Sequence, residues 1–161
     1  MTKSFRTLKT KLLAKPLTAQ DTSQYFKLTK RNRTHLSQFH VMSEAKFKTE
    51  QEVLESIQNQ SARKTRYVLW QKDTPVGFLS LVNKGHSRCE IGMWIGQDFT
   101  RKGYATDAVR SIAKHALDSL GYTRVTATVD PGNTASQNTL KKAGFKLVRR
   151  LKKRYYFAFG E

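Results

Sequence analysis

The residues best placed to do chemistry lie in Gln97-Asp-Phe-Thr-Arg-Lys-Gly-Tyr-Ala-Thr-Asp-Ala108. Arg101, Lys102 and Gly103 supply two cations and a glycine, the residue type that lets backbone approach a ligand closely. Downstream of Gly103 the chain reads as a helix. Ala105, Ala108, Val109, Ile112, Ala113, Ala116 and Leu120 recur at helical spacing, and Gly121 stands just past the last of them. The first N–H groups of a helix have no internal acceptor, and its N-terminus carries roughly half a positive charge. Upstream of Gln97 the chain reads as a strand, because Glu90-Ile-Gly-Met-Trp-Ile95 alternates polar or small residues with apolar ones. Strand, basic glycine-bearing loop and helix start together make a cradle for an anion such as a pyrophosphate. A plain turn with two solvated cations is the competing reading of the same residues.

A second stretch, Asp130-Pro-Gly-Asn-Thr-Ala-Ser-Gln-Asn-Thr-Leu-Lys-Lys-Ala-Gly-Phe145, comes after another strand and forms a short helix ending at Gly144. With Arg-Lys-Gly-Tyr-Ala-Thr ahead of it, the chain resembles the GCN5-related N-acetyltransferases. Within that superfamily it is most similar to the RimJ/RimL type, which acetylates N-termini of ribosomal proteins. Asn32-Arg-Thr-His-Leu36 and Thr49-Glu-Gln-Glu-Val53 are similar to the first two helices of that type. The resemblance covers nearly the whole chain.

The resemblance implies acetyl-coenzyme A as cosubstrate and direct transfer of its acetyl group to an amine. Its pyrophosphate would take backbone N–H groups from Arg101, Lys102, Gly103, Tyr104 and Ala105, helped by the hydroxyl of Thr106. The chain departs from the usual pattern at Thr100, where Gln or Arg is common, and at Arg101, where a second Gly is common; a left-handed backbone at Arg101 would be strained. Pantetheine would lie along Met93, Trp94 and Ile95 through main-chain groups, while their side chains pack the core. Asn133 would bind the pantetheine amides or cap its helix. Many members use a tyrosine for the leaving thiol at a position held here by Leu140, so Ser136 is the hydroxyl on offer; the alternative for Ser136 is a second capping contact. Glu90 is the best-placed carboxylate for a base acting through water, with a structural salt bridge as its competitor. Lys141 and Lys142 could reach the adenosine phosphate, although solvated lysines are the commoner case. His35, His40, His86 and His115 receive no role.

Length and composition suit a single globular domain. At 161 residues the chain is read as one domain, 1–161, with 38% apolar content and 11% aromatics. No apolar run approaches the roughly 18 residues of a membrane span, and Met1-Thr-Lys-Ser-Phe-Arg6 lacks a signal peptide's apolar stretch. Cys89 is the one cysteine, which forbids an intrachain disulfide or a multi-cysteine metal site and suits the cytoplasm. No metal is expected. Charge is the outlier: thirty Lys and Arg against twelve Asp and Glu give +18. Lys141, Lys142, Lys146, Arg149, Arg150, Lys152, Lys153 and Arg154 fall in one acid-free stretch. Such a field draws anionic partners and repels cationic ones.

The elements that must position these residues can be read in order. Leu8 to Leu17 reads as an edge strand, and Thr18 to Asp21 as a capping box opening a partly helical segment with Phe26, Leu28, Leu36, Phe39 and Met42 in the core. Thr49 and Glu52 form a second box, for a helix running to about Asn59. Residues 65–95 read as an antiparallel meander, with turns at Asp73-Thr-Pro and Lys84-Gly-His. The helix after Gly103 then leads to the Val125–Val129 strand by a parallel crossover. Phe145–Leu151 and Tyr155–Phe159 make a final hairpin. The fold expected is α/β (α+β), the GNAT fold: a mixed, mostly antiparallel sheet with one splayed parallel pair and helices on both faces.

Acetylation of a protein N-terminus is the leading reading, with an acidic acceptor favoured by the charge and a ribosomal one implied by the resemblance. A small-amine acceptor, antibiotic or polyamine, shares the chemistry but is cationic. A non-catalytic ribosome- or RNA-binding module would use the basic stretch with Tyr155, Tyr156 and Phe157. Monomer and homodimer are both compatible with the sequence.

Overall fold

The computed structural model describes residues 2–38 and 46–160. Alternating β-branched and aromatic residues form the strands, and apolar residues at helical spacing form the helices between them. In chain order the elements are β1 (Phe5–Arg6), β2 (Leu13–Pro16), α1 (Thr22–Arg31), α2 (Arg33–Ser37), α3 (Glu50–Gln58), β3 (Lys64–Gln71), β4 (Thr74–Gly85) and β5 (Arg88–Ile95). Then come α4 (Tyr104–Ser119), β6 (Arg124–Val129), α5 (Thr134–Ala143), β7 (Lys146–Arg150) and β8 (Tyr155–Gly160). The strands make one sheet in the order β1-β2-β3-β4-β5-β6-β8-β7. Every neighbouring pair is antiparallel except β5 with β6.

Because successive side chains of a strand face opposite ways, the sheet builds two cores. On one face Cys89, Ile91 and Ile95 of β5 lie with Val125 and Ala127 of β6 beneath Val109, Ile112 and Ala116 of α4 and Leu140 of α5. On the other, Tyr25 and Leu28 of α1, Leu36 of α2 and Val53 of α3 cover Val68, Trp70, Phe78 and Trp94. Trp94 and Ile95 are neighbours in sequence yet belong to different cores. Each such fully buried side chain contributes roughly 1.5–3 kcal/mol, so both layers hold the sheet rather than one alone.

The helix starts are set by their capping residues. Asp21 Oδ2 accepts from the Thr18 backbone N–H at 2.9 Å, in a short 3₁₀ turn before α1. Thr49 Oγ1 accepts from the Glu52 N–H at 3.2 Å, while Glu52 Oε2 reaches back to the Lys48 N–H at 2.7 Å. At the far end of α5, Phe145 N–H bonds Leu140 O and Gly144 N–H bonds Lys141 O, a Schellman ending.

Three sequence expectations are corrected. Leu8 to Leu17 is a hairpin of β1 and β2 rather than one strand, and Leu8 sits exposed in its turn. The cause is tertiary. Asp107 at the start of α4 accepts from the N–H groups of Lys9 and Thr10 and from the Thr10 hydroxyl, which folds this segment back. Leu120 is exposed, because α4 stops at Ser119 and Gly121 turns the chain with φ 78°. The turn between β3 and β4 is Lys72-Asp73, and Pro75 already pairs with Trp70 where the register shifts, a place that tolerates its missing donor. Phe39, His40 and Met42 lie outside the described residues.

Candidate active site

The site begins where the parallel pair comes apart. β5 and β6 are in register at Arg88/Arg124, Cys89/Val125 and Glu90/Thr126, and no further. Beyond Glu90 the β6 side of β5 has no partner strand. Gly96 N–H bonds Val76 O, so the alternation of an antiparallel ladder turns the main-chain groups of Trp94, Gly92 and Glu90 toward β4. Met93 and Ile95 therefore turn both main-chain groups to the gap and Ile91 its C=O, the Ile91 N–H closing the last parallel bond to Thr126. Of the three predicted pantetheine-strand residues, Met93 and Ile95 offer main chain there; Trp94 offers only its place in the wall.

At the end of β5 the chain makes a short 3₁₀ turn at Gln97–Phe99 and enters the predicted loop. Thr100 N–H bonds Gln97 O, and Asp107 N–H bonds Gly103 O. Among the described residues, the six N–H groups between them, Arg101 to Thr106, have no acceptor. Arg101 has φ 62° and Gly103 φ 78°, so the backbone turns left-handed twice within three residues. Arg101 thus adopts the glycine-like conformation of the residue it replaces, at a cost of roughly 1–2 kcal/mol. Tyr104 buries its ring in the core, and the Lys102 ammonium lies over the Phe99 ring at 6.0 Å.

Across the gap stands α5. Asn133 is buried, and its Oδ1 accepts from the Ser136 N–H at 3.1 Å, so it is the helix cap; Nδ2 is its remaining donor. Ser136 Oγ makes no capping contact among the described residues. Leu140 is core. One turn on from Ser136, Thr139 presents a second hydroxyl that no sequence motif singles out.

Two hollows meet here, sharing Met93, Asn133, Ser136 and Thr139. The larger, about 650 Å³, is walled by Ile95, Arg101, Gly103, Ala105 and Thr106 and closed by His35 of α2 and Lys142 of α5. The smaller, about 310 Å³, holds Glu90, Ser80, Gly92, Lys64, Asp130 and Arg154. Every predicted site residue borders one of them except Lys102, and Lys141 borders neither. Glu90 is half-buried, and no ion pair holds it among the described residues. Its neighbour Cys89 faces the opposite core, where burial pushes the thiol up to about 12.

The residues the sequence missed are Ser80, Lys64, Thr139, Arg154 and His35. They come from five separate elements or loops, and only the tertiary fold brings them together. Among the described residues no group of three His, Cys, Asp or Glu could hold a metal, and no helix is long and apolar enough to cross a membrane.

A family model for the acetyltransferase (GNAT) domain matches residues 11–146. The chain belongs to the GNAT family. Among curated relatives, the uncharacterized N-acetyltransferase YoaA of Bacillus subtilis is 33% identical over 92 residues, 54% of this chain and 51% of YoaA. The chain thus spans about half the length of such curated relatives. Solved structures match further. Mycobacterium smegmatis RimJ in complex with CoA-disulfide has TM-score 0.84 at 20% identity, covering 98% of this chain and 85% of RimJ. The ribosomal L7/L12 α-N-protein acetyltransferase RimL, in complex with coenzyme A, has TM-score 0.86 at 16% identity, covering 98% and 97%. A spermidine N-acetyltransferase from Vibrio cholerae also shares the GNAT fold, with TM-score 0.78 at 16% identity over 92% and 95%. At these identities the likeness is one of fold.

Proposed function

We propose that this GNAT domain transfers an acetyl group from acetyl-coenzyme A to the α-amine of a protein N-terminus, a ribosomal protein above all, in the manner of the RimJ/RimL type. The observation that carries the reading is the run of unpartnered N–H groups from Arg101 to Thr106, set at the mouth of the β5–β6 gap. A cosubstrate with a pyrophosphate and an extended amide arm fits this arrangement. The loop donors and the α4 terminus would hold the phosphates, and the main chain of Met93 and Ile95, with the Ile91 C=O, would pair with the arm. Asn133 Nδ2 and Lys142 are within the same cleft for the arm and the outer phosphate. The left-handed backbone at Arg101 supports a working loop over a decayed one.

Acetyl-coenzyme A supplies an activated thioester; the chain's residues position it and move protons. Ser136 Oγ, on the rim shared by the two hollows, is free to donate to the departing sulfur. Glu90, in the smaller hollow, takes the proton of the incoming amine directly or through water. An α-amine has a pKa of about 7.7–8.0, so a useful fraction is neutral without help; a lysine near 10.4 would need a stronger base.

The charge favours an acidic acceptor. A net +18 raises the encounter rate with anionic proteins and opposes polyamines. Calorimetry with acetyl-coenzyme A, followed by mass spectrometry of N-terminal peptides set against spermidine, tests the proposal. Binding without acetylation of any peptide would leave the non-catalytic reading. Acetylation of spermidine in preference to every peptide would move the chain to the small-amine enzymes. For an acidic protein acceptor, kcat/KM should fall as salt shortens the screening length from about 10 Å at 0.1 M toward 3 Å at 1 M, while a neutral peptide should hardly respond.

A further inference from the structure

Resting on the N-terminal reading, we propose that the smaller hollow is a subsite for an acidic side chain within the first three residues of the acceptor, read by Lys64 and Arg154. Sheet register makes the case. Lys64 pairs with Val82, Val82 with Glu90, and Glu90 with Thr126. Directly opposed residues share a face, so these four form one row across β3, β4, β5 and β6. That row faces the α1–α3 side, because Trp94, four residues along β5 from Glu90, packs there with Phe78.

Lys64 stands two strands from Glu90, about 10 Å at the usual interstrand spacing. On the other flank, Arg154 Nη1 donates to Thr128 Oγ1 at 3.3 Å, and Thr128 lies two residues past Glu90's partner Thr126. Two cations therefore flank Glu90, and neither pairs with it; Asp130, the hollow's other carboxylate, accepts from the Gly132 N–H at 2.8 Å. Such spacing suits a ligand with a positive end at Glu90 and a negative one further out. An extended peptide advances about 3.3–3.6 Å per residue, so an amine at Glu90 puts the second or third side chain within reach of one cation or the other.

The floor between them is kept open. Gly92 lies opposite Ser80 in the next row, and a Cβ on Gly92 would come within 2.7 Å of Ser80 Oγ. A side chain there would fill the hollow that the acceptor needs. A polyamine would bring its second charge against Lys64 or Arg154, and a neutral N-terminus would leave both unanswered.

The test compares kcat/KM for peptides beginning Ser-Glu-Glu, Ser-Gln-Gln and Ser-Lys-Lys with a common tail, at 0.5 M salt so that long-range steering is largely screened. The acidic peptide should exceed the glutamine one by about tenfold or more, with the lysine peptide lowest. The double variant Lys64→Glu/Arg154→Glu should invert that order while calorimetry shows unchanged acetyl-coenzyme A affinity. Should it fail to fold, Lys64→Gln and Arg154→Gln should each shrink the preference. Equal use of the acidic and glutamine peptides overturns the subsite, as does an acidic preference that survives charge reversal. If acetyl-coenzyme A binds and no peptide is acetylated, the N-terminal reading falls and takes the subsite with it.

Discussion

The two hollows that meet at Ser136 are made of different materials. The larger is built from main chain: the six N–H groups of the loop and the α4 start, and the free edge of β5. The smaller is built from side chains: Glu90, Ser80, Lys64 and Arg154. Main chain donates whatever residue carries it, so the first can absorb Thr100 and Arg101 and keep its shape. The second changes with every substitution. On the proposed reading, a cosubstrate common to a family would be held by the tolerant half, and the acceptor by the variable half.

The largest effect should come from breaking the main-chain hollow. Gly103→Asp sets a carboxylate against the phosphates and forces a side chain onto a φ of 78°; acetyl-coenzyme A should bind at least a hundredfold more weakly by calorimetry, about 3 kcal/mol. Undiminished affinity would remove the loop from the site. Ser136→Ala, on the shared rim, should lower kcat by about ten- to a hundredfold with cosubstrate affinity unchanged, the signature of a contact made only in the transition state. Unaltered turnover would leave Ser136 as a bystander of the helix start.

Asp107 offers a control that touches neither hollow. Burial raises its pKa, but the hydrogen bonds from Thr10, Lys9 and Thr7 outweigh that, and the carboxyl lies below its ordinary 3.8. A lowered folded-state pKa stabilises the fold above the ordinary value, and the gain fades as pH falls through the lowered one. Asp107→Asn should cost about 1–3 kcal/mol in urea unfolding at pH 7, and the gap from wild type should narrow in strong acid. A constant gap would deny the carboxylate its role.

Smaller effects sharpen the contrast. Glu90→Gln should shift the kcat/KM profile toward higher pH, where the amine is neutral unaided, and lower activity about tenfold at pH 7. An identical profile would reduce Glu90 to a polar wall. Arg101→Gly should change cosubstrate affinity by no more than about threefold, since glycine suits the left-handed backbone and the N–H remains. A large loss would show that the guanidinium, not the main chain, grips the phosphates.

Much of the tolerant half was legible in the sequence, for a physical reason. Its parts are contiguous: a strand, a loop and a helix start whose periodicities of 2 and 3.6 announce themselves within about thirty residues. The same holds for the meander and for Asn133 and Ser136 on α5. The β1–β2 hairpin was not legible, because its turn is set by Asp107, about a hundred residues away. Nor were Lys64 and Arg154, which read as two of thirty cations until register sets one on each side of Glu90. Leu120 misled by keeping the helical spacing one residue past the end of its helix.

The parting of β5 from β6 also leaves a signature in hydrogen exchange. Buried strands normally protect every amide, yet here protection should alternate along a single strand. Gly92 and Trp94, bonded to β4, should exchange slowly, and Met93 and Ile95, facing the gap, quickly. A ligand that lies in the gap as a ninth strand would erase the alternation, so the amide lifetimes of four consecutive residues report occupancy without any assay of turnover.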